Sequence, residues 1–306
     1  MGCHKFNAAV IEWNFESSLL GAWLVRIFDL FDLDETIQVM DIGASAIAEA
    51  PIYNVLLEKR IARLTAFDGD ARQVSSIENA YGEDIVTVLN YFLFDGEKHD
   101  VYLCSPSSGM SSLFKPKTEA LNFFNGFSSF GEVQSIEKVQ TTRLDDIENV
   151  KPPDFLKMDV QGAELEIIKN GTNKLEDCLA LQLEVSYFNL YEKQPSFGEV
   201  DVYLRELGFI PHMFLDVKLW PIAPTVFNGN FRVPCNQLLE SDVVYVRNPL
   251  SLAELTIIQL KKLATLAHYS FKSFDLCVRL LIEMERRQAC CVDGHKQYLP
   301  NMHKFD

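Results

Sequence analysis

With 306 residues, 48% of them hydrophobic and 23% charged, the chain is long enough to bury a sizeable core as one large α/β domain with additions or as two domains. A formal net charge of −15, with no lysine- or arginine-rich run, argues against a nucleic-acid backbone or an anionic membrane surface as partner. Seven cysteines without metal-ligand spacing, no apolar run near the roughly 20 residues that span a bilayer, and no signal-peptide pattern lead us to expect a cytoplasmic protein with reduced thiols and no membrane span.

In chain order, Leu20, Trp23, Leu24, Ile27, Phe28 and Phe31 recur at helical spacing and predict an amphipathic helix over Ser18 to Phe31. Gln38 to Ile42 reads as an apolar strand ending in Asp41 and Gly43, and the turn Gly43-Ala44-Ser45 suits close approach of a ligand to backbone. The second strand, Ile61 to Phe67, ends in Asp68-Gly69-Asp70. An acid after strand two of a nucleoside-binding sheet accepts hydrogen bonds from ribose hydroxyls, and the interval from Asp41 to Asp68 suits one strand–helix–strand unit. Asp70 reads as the cap of a helix over Ala71 to Tyr81. A nicotinamide-dependent oxidoreductase shows the same acid, so these residues alone leave both readings open. Ile85 to Phe94 predicts a third strand, and Asp95-Gly96 a turn into His99 to Cys104, the two pairing as a hairpin at the sheet edge. Ser105 to Ser112 and much of Lys115 to Gly131 read as loops that approach the site, and Val133 to Thr142 as a further strand.

The richest stretch runs from Phe155 to Gly171: a short buried strand, a turn containing Gly162, and an amphipathic helix for which Gly171 offers a left-handed end. Lys157 and Asp159, two apart on a strand, share one face. Asp159, at the strand's carboxyl end, is the candidate to orient an acceptor hydroxyl, act as base or hold a divalent ion; a cap for the following helix is the plainer role. Glu164, in the first helical turn, suits the helix dipole and is placed on the substrate side. Leu179 to Val185 reads as a neighbouring central strand. Glu184 within it would cost several kcal/mol to bury unpaired, and Lys157 is its natural partner. The histidines show no ligand spacing, so no metal site is assigned, with a carboxylate-bound divalent cation left open.

Further on, Gly198 to Leu207 predicts a helix, and Phe209 to Leu219 with Asp242 to Arg247 an antiparallel pair at one sheet edge. The loop between them, Pro221 to Gln237, offers Asn228 and Arg232 as hydrogen-bond donors, and Phe231 as an aromatic face, to a sugar. Ser251-Leu252-Ala253-Glu254 reads as a capping box opening a helix to His268, and a second helix follows over Phe274 to Arg287. This helical hairpin is expected outside the main sheet and packed on the surface of the parent domain; an appendage or, with the N-terminal helix, a homodimer contact are the other readings. The expected organisation is therefore a helical segment over 1–35, a ligand-binding α/β domain over 36–249 and a helical extension over 250–306.

Several stretches together carry a resemblance: Thr142-Arg143-Leu144-Asp145-Asp146, Asp154 to Glu164 with its Lys-x-Asp-Val-x-Gly-x-Glu core, Leu183 to Ser186, Leu190 to Pro195, and Val200 to Phe209. The chain resembles the FkbM family of class I methyltransferases, from about Val39 to Arg247. The resemblance implies a Rossmann-like α/β fold with a mostly parallel sheet and an antiparallel last strand. It also implies S-adenosylmethionine as cofactor and methyl transfer to a hydroxyl of a carbohydrate or other small acceptor. Asp41, Gly43, Asp68, Lys157, Asp159 and Glu164 occupy family motif positions. This assigns Asp159, Lys157 and Glu184 to catalysis, and Asp41, Gly43, Ala44, Ser45, Asp68 and Gly69 to the cofactor. Two departures stand out: the first turn has no later glycine, and Asp68-Gly69-Asp70 replaces the more usual Glu-Pro-Asp. They motivate an alternative, a binding or scaffold protein of this fold with weak or lost catalysis.

Overall fold

The computed structural model describes residues 27–44, 50–67, 82, 84–105 and 108–298. The expected helix over Ser18 to Phe31 lies mostly outside them; its described end, Ile27–Asp29, is a single 3-10 turn. The helix expected over Ala71 to Tyr81 lies wholly outside.

Among the described residues, seven strands form the main sheet: β1 (Ile37–Ile42), β2 (Ala62–Phe67), β3 (Val86–Leu89), β7 (Phe155–Met158), β8 (Ala180–Ser186), β9 (Phe209–Leu219) and β10 (Leu238–Arg247). Their order is β3-β2-β1-β7-β8-β10-β9. The first five are parallel, while β10 runs antiparallel to both β8 and β9. The chain leaves β1 toward β2 and returns on its other side as β7, so the strand order switches direction between β1 and β7. In open α/β sheets that switch opens a crevice at the carboxyl ends of the strands, where ligands bind.

Alternation along the strands divides the core between two faces. Val39 and Phe155 face one way, toward α1 (Asn54–Glu58) and toward α6 (Ile257–Tyr269) and α7 (Phe274–Arg286), whose Leu260, Leu263, Leu280 and Leu281 are fully buried. Met40, Leu156 and Met158 face the other way, toward α4 (Glu164–Lys169) and α5 (Phe197–Glu206). The C-terminal hairpin is thus one layer of the fold: its apolar stripes pack on the sheet, in line with the expected packing on the parent domain. The N-cap of its first helix is Thr256 and not the expected Ser251. Leu252–Glu254 forms a 3-10 turn without a side-chain cap from Ser251, and the capping box is Thr256 with Gln259.

Three further expectations are corrected. The run Ile85 to Phe94 breaks at Asn90 and Tyr91 into β3 and the two-residue β4 (Phe92–Leu93). β4 joins a separate sheet of order β4-β6-β5, with β5 at Lys98–Leu103 and β6 at Ser135–Thr142. β6, from far along the chain, inserts where a hairpin partner was expected. The stretch Lys115 to Gly131 holds two short helices, α2 (Thr118–Phe123) and α3 (Phe127–Phe130). Their Leu121, Phe124 and Phe127 bury with Leu190, Tyr191 and Leu239, residues that follow β8 or open β10, so this third cluster caps the carboxyl side of the sheet. Gly171 does not take the left-handed conformation; a side chain there would drive a Cβ to 2.6 Å from Leu144, and close packing is what demands glycine.

Candidate active site

On the face covered by α6 and α7, the amino halves of the strands are apolar and the carboxyl halves are polar. Asp41 lies level with Lys157, Lys157 with Gln182, and Glu184 with Asp242. The polar half is the floor of the crevice at the switch point.

Two networks occupy it. In the first, buried Asp41 accepts from Tyr53 OH at 2.5 Å and from Lys157 Nζ at 3.2 Å. Burial would lower the Lys157 ammonium, but the carboxylates of Asp41 and Asp159 outweigh it and hold it raised. Lys157 therefore pairs with Asp41 and not with Glu184 as expected, because β7 sits between β1 and β8 and Glu184 lies one side-chain pair further toward the carboxyl end. In the second network, Gln161 Nε2 donates to Asp159 Oδ1 at 2.9 Å and lies 3.3 Å from Glu184 Oε1. Tyr191 OH donates to Gln161 Oε1 at 3.0 Å, and Ser112 Oγ donates to the Gln161 carbonyl at 2.8 Å. Gln161 holds φ at +56°, so these contacts fix a backbone conformation that few non-glycine residues adopt. Glu184 also meets Lys218 Nζ at 3.4 Å, and Lys218 meets Glu240 at 2.8 Å. Burial, with Glu240 and Asp159 nearby, pushes the Glu184 carboxyl well up against the opposing pull of Lys218. A carboxyl so placed holds its proton more tightly than an exposed one.

Glu164 is buried and turned back on its own turn, where Oε1 accepts from the N–H groups of Val160 and Gly162 at 3.1 and 3.3 Å. Burial raises it to about 7 against those hydrogen bonds. Its geometry shapes the Asp159 loop from beneath. Asp159 does not cap α4, whose N-cap, Ala163, has no side-chain hydrogen bond.

Gly43 joins the two halves of the site. It has φ of +79°, and a Cβ there would stand 2.0 Å from the Asp159 carbonyl oxygen, so only glycine lets the β1 turn lie against the β7 turn. The N–H groups of Gly43 and Ala44 both point to Phe67 O, at 2.9 and 3.3 Å. Ser45, Asp68 and Gly69 lie outside the described residues. Asn228 and Arg232 are exposed on the β9–β10 loop, and among the described residues neither bonds to Asp159, Lys157 or Glu184. Arg232 lies over the rings of Phe130, Trp220 and Phe231 at 5.5 to 6.0 Å. Sequence reasoning missed Tyr53, Gln161, Tyr191, Lys218 and Glu240. Gln161 and Tyr191 stood inside the quoted stretches without a role; Lys218 and Glu240 depend on the register of β9 and β10, and Tyr53 on the packing of the segment before α1.

S-adenosylmethionine pairs a sulfonium cation with an amino-acid group, and the site's chemistry suits it. Asp41, Asp159, Glu184, Glu240 and Asp242 outnumber Lys157 and Lys218, an excess of negative charge at the crevice floor. Gln182 Oε1, level with Lys157, is buried with no hydrogen-bond partner among the described residues, an acceptor facing the same crevice. Among the described residues no three His, Cys, Asp or Glu side chains converge as metal ligands, and no helix is long and apolar enough to cross a membrane.

The family model of the methyltransferase FkbM domain matches residues 54–211, a narrower span than Val39 to Arg247 at both ends. No curated protein matches the chain. Among solved structures, the chain is similar to the methyltransferase FkbM of Methylobacillus flagellatus KT at 13% identity and a TM-score of 0.37, over 69% of this chain and 43% of that one. It is similar to the precorrin-6y C5,15-methyltransferase of Geobacter metallireducens GS-15 at 13% identity and a TM-score of 0.34, over 71% and 84%. It is also similar to the magnesium protoporphyrin IX methyltransferase of Synechocystis PCC 6803, with bound SAM, at 12% identity and a TM-score of 0.33, over 70% and 71%. The chain thus spans less than half the length of the first of these.

Proposed function

Because the chain belongs to the FkbM methyltransferase family, we propose that it transfers a methyl group from S-adenosylmethionine to a hydroxyl of a carbohydrate or other small acceptor. The cofactor supplies an activated methyl group on sulfur. What the chain must supply is alignment and a destination for the hydroxyl proton. Asp159 is the base: it ends β7 in the crevice, half-buried, with one oxygen held by Gln161. Gln161 is a positioning residue, fixed in turn by Tyr191 and Ser112. Glu184, its carboxyl raised by burial, shares the Gln161 amide with Asp159 and meets Lys218 on its other side. Lys157 holds Asp41 on the cofactor side. The observation that carries the reading is the contact between the two turns: the backbone of Asp159 lies against Gly43, so base and cofactor turn are built as one unit.

The test is incubation of the protein with methyl-labelled S-adenosylmethionine and a panel of sugars and small alcohols. Label in a product that survives base, as an ether does and a carboxyl ester does not, supports O-transfer; label only on nitrogen-bearing acceptors overturns it. One observation is the basis of a second reading, a binding protein without turnover: each Asp41 oxygen already accepts one hydrogen bond within the protein, from Tyr53 and from Lys157, which leaves fewer sites for a ligand. That reading requires cofactor binding with no labelled product from any acceptor.

A further inference from the structure

Against the small sheet lies a groove of about 590 Å³, a volume in the range of small-molecule sites. In a chain of net charge −15 it is lined by four lysines, Lys98, Lys115, Lys138 and Lys193, against two carboxylates, Asp100 and Glu192. Lys115 is taken by Glu192 at 3.0 Å. Lys98, Lys138 and Lys193 make no ion pair among the described residues. The antiparallel register sets Lys98 opposite Gln140 and Lys138 opposite Asp100, so both ammonium groups rise from one face of β5 and β6. Like charges gathered without partners repel, and an anion between them relieves that repulsion. Part-exposed Tyr102 and Phe114 add aromatic surface to the same groove.

The groove walls are tied to the candidate site through chain neighbours and hydrogen bonds. Leu113 to Lys115 follow Ser112, whose hydroxyl holds the Gln161 carbonyl. Glu192 and Lys193 follow Tyr191, whose hydroxyl holds the Gln161 side chain. The two walls are tied by Glu192 N–H donating to Lys115 O at 2.8 Å. Gln161 in turn holds Asp159. We propose that the groove binds an anionic substituent, phosphate or carboxylate, of a sugar-sized acceptor whose hydroxyl lies at Asp159. Naming the ligand as the acceptor rests on the methyl-transfer reading.

The test is calorimetry on the full chain with glucose 6-phosphate, glucuronate, glucose and S-adenosylhomocysteine, for the native protein and for the K98E/K138E and K98R/K138R variants. These lysines are exposed, so the variants should fold. At least one charged sugar should bind, glucose should bind more weakly by about tenfold or more, K98E/K138E should lose about tenfold or more, and K98R/K138R should keep the affinity. Binding of glucose 6-phosphate alone identifies phosphate, and of glucuronate alone carboxylate. Equal binding of glucose and both charged sugars, binding of none of them, or no effect of K98E/K138E overturns the proposal. S-adenosylhomocysteine separates the two claims: its binding with a failed groove leaves methyl transfer standing, and its absence with lysine-dependent sugar binding overturns the acceptor identity alone.

Discussion

Asp159 owes its place to backbone on both sides: its N–H donates to Ile42 O at 3.0 Å, and its carbonyl lies against Gly43. Asp159→Asn keeps the shape and an acceptor oxygen but removes the proposed base. Turnover should fall by about a hundredfold or more, while S-adenosylhomocysteine affinity changes by less than about threefold; steady-state kinetics with calorimetry checks both. Glu164 makes a pH-dependent contribution whose sign follows from its burial. Its folded value of about 7 exceeds its ordinary 4.5, so the native state holds the proton more tightly than the unfolded chain. Its contribution to stability is therefore full below about 4.5, declines as pH rises toward about 7, and is level beyond. Glu164→Gln keeps an acceptor for both N–H groups and cannot titrate, so denaturant unfolding should show the variant gaining on the parent across that window. Glu164→Ala leaves the N–H groups of Val160 and Gly162 without their partner; it should cost about 1–3 kcal/mol below about pH 4.5, and the cost should shrink as pH rises toward about 7. The polar positions Lys157, Asp159, Glu164 and Glu184 were legible in the sequence, since strand alternation and helix periodicity give each a face. Their partners were not. Alternation says which way a side chain points but not which residue of the next strand stands level with it, and that offset decided that Lys157 meets Asp41.

At the scale of elements, long periodic runs were readable and short ones depended on distant pairing. α5 and α7 stand within a residue of their expected limits, as does the end of α6. The hairpin expected from Ile85 to Cys104 failed because β6 competes for both strands, a non-local choice that turn residues at Asp95 and Gly96 do not encode. The start of α6 shows a different limit: Ser251 with Glu254 and Thr256 with Gln259 both match a capping box, and only the second has its reciprocal hydrogen bonds, at 3.2 and 2.8 Å. Thr256→Ala should lower stability by about 1 kcal/mol, whereas Ser251→Ala should stay within about 0.5 kcal/mol. Thermal and denaturant unfolding of the two variants distinguishes these outcomes.

Across the whole molecule, the mostly parallel sheet and its antiparallel edge pair were foreseeable from alternating strands and helices together with the family motif. That residues 250–306 pack on the parent domain was foreseeable too; the surface they cover was not, because an amphipathic helix does not declare which surface its apolar stripe meets. Here that surface is the sheet: Leu260, Leu263, Leu280 and Leu281 share one core with Val39, Phe155 and Val244. They cover the amino half of the face whose carboxyl half holds Asp41, Lys157 and Glu184. Truncation after Asn248 should therefore expose the core, raising dye binding and abolishing cooperative unfolding; a truncated chain that unfolds as sharply as the parent would contradict this layering. The crevice at the β1–β7 switch is proposed as a methyl-transfer site and not a nicotinamide site, and calorimetry on the full chain with S-adenosylhomocysteine and with NAD distinguishes the two. Saturable one-to-one binding of S-adenosylhomocysteine, weakened by Gly43→Ala, with no binding of NAD is the expected result; NAD binding with none of S-adenosylhomocysteine would overturn the assignment.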